Sequence, residues 1–359
     1  MHELNVQLET PLKDDENYFL IMDHSITTGD HKIQLTLGVK TDHLGRALRH
    51  EDVWIADLAV GASFTHAEVK GSIQNVIDRY KKKPLFVLSD NGSNIVKGVE
   101  EAGCAHHHDI GHSVGNLLKK IYEKDPEFQE LYKEIGNART MALSKEEYLM
   151  PPKLRVLARW MNCSLWIDYC WRILHTEVEL DEGMRKKLSF IWNHSALIDE
   201  LHDVIGCIND MFELMKTKGL SYENIITVAK DMQEKMCTRG GRPEMLAALI
   251  ANYLEKEMAL LENENDVHYI SSDIIETIFS YFKAHKSPNR MFGVTSSILS
   301  LPLHLRMANK EATMSFNVTE CIESIKKDDV YAWAVKNIPE NAAKKRRKVL
   351  NNLEQKKVG

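Results

Sequence analysis

The chain lacks any apolar run long enough to cross a bilayer, and its first residues carry no apolar segment of the secretory-leader kind. A protein neither embedded in a membrane nor exported is therefore expected. It also lacks a CxxC pair: its six cysteines are scattered, so no disulfide framework is indicated and reduced thiols are the default. It has no excess of positive charge, its formal net charge being −6. A general nucleic-acid coat is thereby excluded, and any contact with nucleic acid has to fall on local basic surfaces or run through metal ions. No internal repeat recurs at a fixed period. What remains is a chain of 359 residues, 43% hydrophobic, long enough for two domains or for one domain with a large insertion.

One stretch organises the rest: Pro84 to Gly103, PLFVLSDNGSNIVKGVEEAG. Leu85 to Ser89 is a short apolar run between a Lys-rich turn and Asn91-Gly92, which reads as a buried strand. Asp90 stands at its carboxyl end, where ligands of α/β sheets bind. Ser93 is placed to cap the helix that follows. Taken alone, Asp90 is a turn residue; its meaning depends on whether other carboxylates converge on it.

In chain order, residues 1–16 form a polar lead-in. Tyr18 to Met22 is the first strand, with Asp23 at its end. Ile33 to Val39 alternates with period two and forms a hairpin with it. Val53 to Val60 is a third strand. Thr65 opens an amphipathic helix carrying Val69, Ile73, Val76, Ile77 and Tyr80 on one face. The Asp90 strand, the Ser93 helix, a strand over Cys104 to Asp109 and a helix carrying Val114, Leu117, Leu118 and Ile121 follow. Three antiparallel strands followed by alternating helices and strands is the order of the ribonuclease H-like fold. It would make Asp23 and Asp90 neighbours in mid-sheet. The fold class expected is α/β, a ribonuclease H-like mixed sheet core with a large all-helical insertion.

The core's first part spans 17–123. Strand-like alternation stops at Lys124, and residues 124–266 read as an all-helical insertion, with helical spacing to about Asn263 and a polar, acidic linker at Glu262 to Asp266. Ser271 or Ser272 then caps a helix running to His285, with Ile274, Ile275, Ile278, Phe279 and Phe282 on its apolar face and Glu276 at the edge of that face. Residues 267–335 return to the core, and 336–359 form a frayed tail holding the basic cluster Lys344 to Lys348.

Asp23, Asp90 and Glu276 gain meaning together. Three converging carboxylates repel unless cations share them. Hard oxygen ligands select Mg²⁺, with Mn²⁺ as substitute. Such ions activate a water or a 3′-hydroxyl and stabilise the leaving oxygen of a phosphodiester.

These pieces resemble the DDE transposases, specifically the hAT and Mutator-like relatives, over about Tyr18 to His285. Phe19 to Asp23 resembles the first catalytic strand. Leu88-Ser89-Asp90-Asn91-Gly92-Ser93-Asn94 is similar to the motif around the second Asp. Asp109-Ile110-Gly111-His112 fits the C/D-x-x-H signature, and Ser271 to Lys283 is similar to the helix bearing the catalytic Glu. The resemblance implies Asp23, Asp90 and Glu276 as the catalytic and metal-binding triad, with Asp109 and His112 supporting it. It implies Arg159 and Trp160, an Arg-Trp pair of the insertion, as DNA contacts, Trp160 by stacking on an exposed base. DNA, as element ends and target, is the implied partner, and a homo-oligomer the implied assembly.

The His106-His107-His108-Asp109-His112 cluster has a rival reading as a zinc site, since His108 and His112 would lie one turn apart if helical. Family members usually carry an N-terminal end-recognition domain, whereas 22 residues precede Asp23 here, so a truncated or split copy is expected. Basic surfaces for DNA are sought at Lys81 to Lys83, Lys119-Lys120, Arg185 to Lys187, Arg239 to Arg242, and Lys283 to Arg290. The tail KKRRKV resembles a nuclear localisation signal and serves equally as a DNA-contacting arm or a solvated helix end. The location expected is cytoplasmic and nucleoid-associated in a bacterium, nuclear in a eukaryote. The function expected is metal-dependent DNA cleavage and strand transfer. The alternatives are a truncated or domesticated DNA-binding relative, and a nuclease without strand joining.

Overall fold

Tyr18-Phe19-Leu20-Ile21-Met22 is apolar on both sides, and all five side chains are buried. Such a strand belongs in the middle of a covered sheet, and the computed structural model places it there. Strand β1 (Tyr18–His24) lies between β2 (Lys32–Lys40) and β4 (Phe86–Ser89). Residues 12–13, 15–25, 28–140, 149–152, 161–176, 180–286, 289–308, 319, 323 and 326–357 are described. The chain divides into two compact units, one of Met1–Asp109 with Ser271–Gly359 and one of Ile110–Ile270.

The first unit holds a five-stranded mixed sheet. With β3 (Val53–Gly61) and β5 (Ala105–His108), the order is β3-β2-β1-β4-β5. Strands β1, β2 and β3 pair antiparallel, and β1–β4 and β4–β5 pair parallel. The parallel connections run through α1 (His66–Tyr80) and α2 (Ser93–Glu101). Thr65 caps α1 in a capping box with Glu68. The two helices approach closely at Gly98, where a Cβ would stand 2.6 Å from Val69.

One local expectation changes. The N-cap of α2 is Gly92, not Ser93, which starts the first turn. The Asp90 carboxylate accepts from the Gly92 amide at 2.9 Å and fixes the turn one residue early. In β2, the polar members of the alternation are also buried. Gln34 pairs with His24 at 2.9 Å and Thr36 with Ser72 at 3.4 Å, so β2 is covered on both faces.

The second unit is helical. It comprises α3 (Ile110–Tyr122), α4 (Pro126–Thr140), α5 (Met161–His175), α6 (Glu182–Lys187), α7 (Phe190–Asn193), α8 (Ser195–Lys218), α9 (Tyr222–Lys235) and α10 (Gly241–Met258) among the described residues. Helix α3 packs with α8 and α10, and so belongs with the helices rather than with the sheet. Trp166 sits in its core against Phe128 and Tyr132. The unit begins and ends at one point, the Ile110 amide donating to the Ile270 carbonyl at 3.0 Å.

The first unit resumes with α11 (Asp273–His285), which packs on β1, followed by α12 (Ser300–Ala308), α13 (Lys327–Asn337) and α14 (Ala342–Lys357). The basic cluster expected in a frayed tail lies on the first turns of α14. No helix among the described residues is long and apolar enough to cross a membrane.

Candidate acidic site at the strand ends

Register brings the first two carboxylates level. Met22 of β1 pairs with Ser89 of β4 in the parallel ladder. The next residue on each strand is Asp23 and Asp90. The Phe19 and Phe86 rings stack at 4.6 Å, which puts Phe19, Ile21 and Asp23 on the sheet face shared by Phe86 and Leu88. Asp90 continues that alternation. Both acids are half-buried. Asp23 accepts from the His24 amide at 2.6 Å, and Asp90 from Gly92.

A third acid stands in the same row. Ser89 pairs with His108, and the Asp109 amide donates to the Ser89 carbonyl at 2.7 Å. Asp109 is buried, and its Oδ2 accepts from both the amide (2.7 Å) and the hydroxyl (2.8 Å) of Ser272. Ser272 is the N-cap residue of α11, yet its side chain does not cap. Its hydroxyl is turned to Asp109, whose negative charge faces the positive end of the helix. Asp109 therefore ties the start of α11 to the end of β5. Glu276 lies on the first turn of that helix, half-buried, beside a face on which Ile274, Ile275, Ile278, Phe279 and Phe282 are all buried. Its neighbour Thr277 hydrogen-bonds His50 at 2.8 Å.

Sequence reasoning passed over His24. Its ring stacks on Phe64 at 5.0 Å and its Nε2 meets Gln34. Burial pushes its pKa down, against the pull of Asp90. Its position directly after Asp23 was the available signal.

The remaining expected residues are placed as follows. His112 is half-buried in the first turn of α3, in the helical unit. Arg159 and Trp160 lie outside the described residues. The zinc reading needed His108 and His112 on one helix. Instead His108 ends β5, and α3 starts at Ile110. Alternation along β5 divides the other histidines: His106 and His108 stand side by side at 4.4 Å, while His107 packs edge-on against Phe86. Among the proposed basic surfaces, Arg239 is bound to Asp203, and Arg242 to Asp125, Glu127 and Glu200. Both arginines are thus paired with carboxylates within the helical unit.

The donor set at the strand ends suits a hard divalent cation. Asp23 and Asp90 are oxygen donors at the level ends of adjacent strands. Among the described residues, no three His, Cys, Asp or Glu side chains are grouped as a ready-made metal cluster. The sheet brings Asp23, Asp90 and Asp109 level, and Glu276 is carried by a helix. Compared with known proteins, the chain matches no family model and no curated protein.

Proposed function

We propose that this chain is the catalytic core of a metal-dependent DNA-cleaving and strand-joining enzyme of the DDE transposase kind. The core would be ribonuclease H-like. The sheet order supports that reading: a central β1 with an antiparallel partner on one side and a parallel partner on the other. The observation that carries the functional reading is the level placement of Asp23 and Asp90 at the ends of adjacent parallel strands.

In this reading Asp23, Asp90 and Glu276 hold Mg²⁺, which when bound supplies an activated water or 3′-hydroxyl and stabilises the leaving oxygen. The protein's own contribution is positional. Two carboxylates fixed on neighbouring strands need little reorganisation, the most economical way to stabilise charge in a reaction. Asp109 holds the first turn of α11, so Glu276 is delivered from an anchored helix end. Strand transfer adds a second DNA and, from the family resemblance, a second copy of the chain.

The test is nicking and strand transfer on labelled DNA with Mn²⁺ or Mg²⁺, wild type beside Asp90→Asn. Activity present in the wild type and lost in the variant, with circular dichroism unchanged, supports the reading. A product that is only nicked assigns a nuclease. Metal binding without cleavage by either protein assigns the domesticated alternative. Absence of both cleavage and metal binding overturns the proposal.

A further inference from the structure

The basic cluster of α14 is not a loose tail. Asn341 precedes the helix and fixes it at two points, accepting from the Lys344 amide at 2.9 Å and donating to the Phe292 carbonyl at 3.2 Å. Lys345 reaches Asp30, in the β1–β2 turn, at 2.7 Å. Lys348 reaches Glu340 at 2.8 Å. The anchor at Asp30 is itself backed. Neighbouring His31 is buried, and its Nδ1 accepts from the Val294 amide at 3.2 Å. The chain can pass there because Gly293 has a φ of 59° and no Cβ, which would stand 2.8 Å from that nitrogen. The Asp30 carboxyl is held below its usual range by Lys345.

With Lys345 turned to Asp30, helical geometry sets the directions of the others. Arg347 lies about 200° round the axis from Lys345, and Lys344 and Arg346 about 100° to either side. All three are exposed. They spread over an arc instead of converging on a point. A single phosphate or a compact anion cannot satisfy three diverging cations. An extended polyanion, with charges repeating along a backbone, can.

We infer that Lys344, Arg346 and Arg347 form a contact surface for the phosphate backbone of duplex DNA, held at a fixed place by Lys345 on Asp30. The inference rests on the proposed function for its choice of DNA among polyanions. The contact is independent of base sequence, since these side chains are placed by the fold to meet charge. It gives a chain of net charge −6 a local site at which an acidic surface elsewhere does not repel the substrate.

The experiment is fluorescence anisotropy of a labelled duplex of arbitrary sequence over a salt series, with the full chain. The variants are Lys344→Ala/Arg346→Ala/Arg347→Ala and a charge-matched control, Lys70→Ala/Lys230→Ala/Lys256→Ala, whose three lysines are exposed and dispersed. Alanine preserves helix propensity, and circular dichroism checks the fold. The expected result is binding by wild type and control. The α14 variant should bind about tenfold or more weakly, with a log–log salt slope flatter by roughly 2–3. Equal loss in both variants overturns the inference, as does no loss in either. Failure of the wild type to bind duplex also overturns it. Binding of wild type to anionic phospholipid vesicles in preference to duplex reassigns the surface to membranes and overturns it too. The nicking assay with Asp90→Asn judges the catalytic reading separately, so the two can fail independently.

Discussion

Ser272 gives both its amide and its hydroxyl to one oxygen of Asp109, across 163 residues of sequence, at 2.7 and 2.8 Å. Asp109 follows the strand next to the one bearing Asp90, and Ser272 precedes the helix bearing Glu276. A signature residue of the sequence thus acts as a clamp within the core rather than as an open ligand.

Asp109→Ala removes an ionised acceptor from two donors and leaves the Ser272 amide without it. The expected loss is about 2–3 kcal/mol of stability, read by urea denaturation. Asp109→Asn keeps an acceptor and should cost less than half as much. If the two variants unfold together with wild type, the clamp has no energetic role.

Asp23 and Asp90 follow the paired residues Met22 and Ser89 at the ends of neighbouring strands, and the proposed function makes both of them ligands of a divalent cation. Asp90→Asn keeps an acceptor for the Gly92 amide and removes one carboxylate from that set. The wild type should gain thermal stability on adding Mn²⁺, because a ligand of the folded state stabilises it, and the variant should gain much less. Equal metal-induced shifts in the two proteins would remove Asp90 from the metal site.

In the helical unit, Arg242 joins Asp125 (2.9 Å), Glu200 (3.0 Å) and Glu127 (3.3 Å), and lies over the Tyr122 ring. Tyr122 also donates to Glu200 at 2.9 Å. Arg242→Ala leaves three carboxylates facing one another. A loss of about 2–3 kcal/mol is expected, discounted from a fully buried network because Arg242 retains some solvent exposure. Arg242→Lys should recover only part of it, since a single ammonium cannot span three partners. Thermal unfolding monitored at 222 nm by circular dichroism (the helical signal) measures this.

Burial lowers the pKa of His24, His50 and His304 below the ordinary 6.5. The unfolded chain therefore takes up protons first on acidification. The stability these neutral rings support is present above pH 6.5 and is lost as pH falls through their depressed folded values. His50 and His304 are hydrogen-bonded to each other at 3.2 Å, which requires one ring to accept and so resists a second proton. His50→Gln should flatten the fall of the melting temperature below pH 6.5. An unchanged slope would exclude this pair as its source.

Asp57 carries the opposite sign. Burial raises its carboxyl above the usual 3.8, against the pull of Ser72 and Arg79. Its charged form opposes folding, and that penalty is relieved as pH falls through the raised value. Asp57→Asn keeps an acceptor for Ser72 and should be more stable than wild type at pH 7 by about 1 kcal/mol. The advantage should shrink towards pH 4. A variant less stable at both pH values would show that the ion is needed.

Elements whose signals are local were legible in the sequence. The apolar run at β1, the helix start at Thr65 and the apolar spacing from Ile274 to Phe282 each depend on near neighbours, and each lies where expected. The adjacency of the strands bearing Asp23 and Asp90 follows from strand order, and their level placement is set by the register of β1 with β4. What was not legible depended on distant partners. Ser93 lost the cap to Gly92 because a side chain three residues earlier had already set the turn. The partner of Asp109 could not be read across a whole helical unit. The basic tail looked frayed because its anchors, Asp30 and Phe292, lie far away in sequence.

The two joins at the unit boundary, Asp109 with Ser272 and Ile110 with Ile270, also order events during synthesis. The sheet emerges from the ribosome first, but α11, which covers β1, is made only after the entire helical unit. The apolar face of β1 must wait uncovered while α3 to α10 are translated. The helical unit, uninterrupted in sequence and with its ends already hydrogen-bonded, can close first. A nascent chain arrested before Ser271 should therefore hold folded helices beside an unfinished sheet that needs a chaperone.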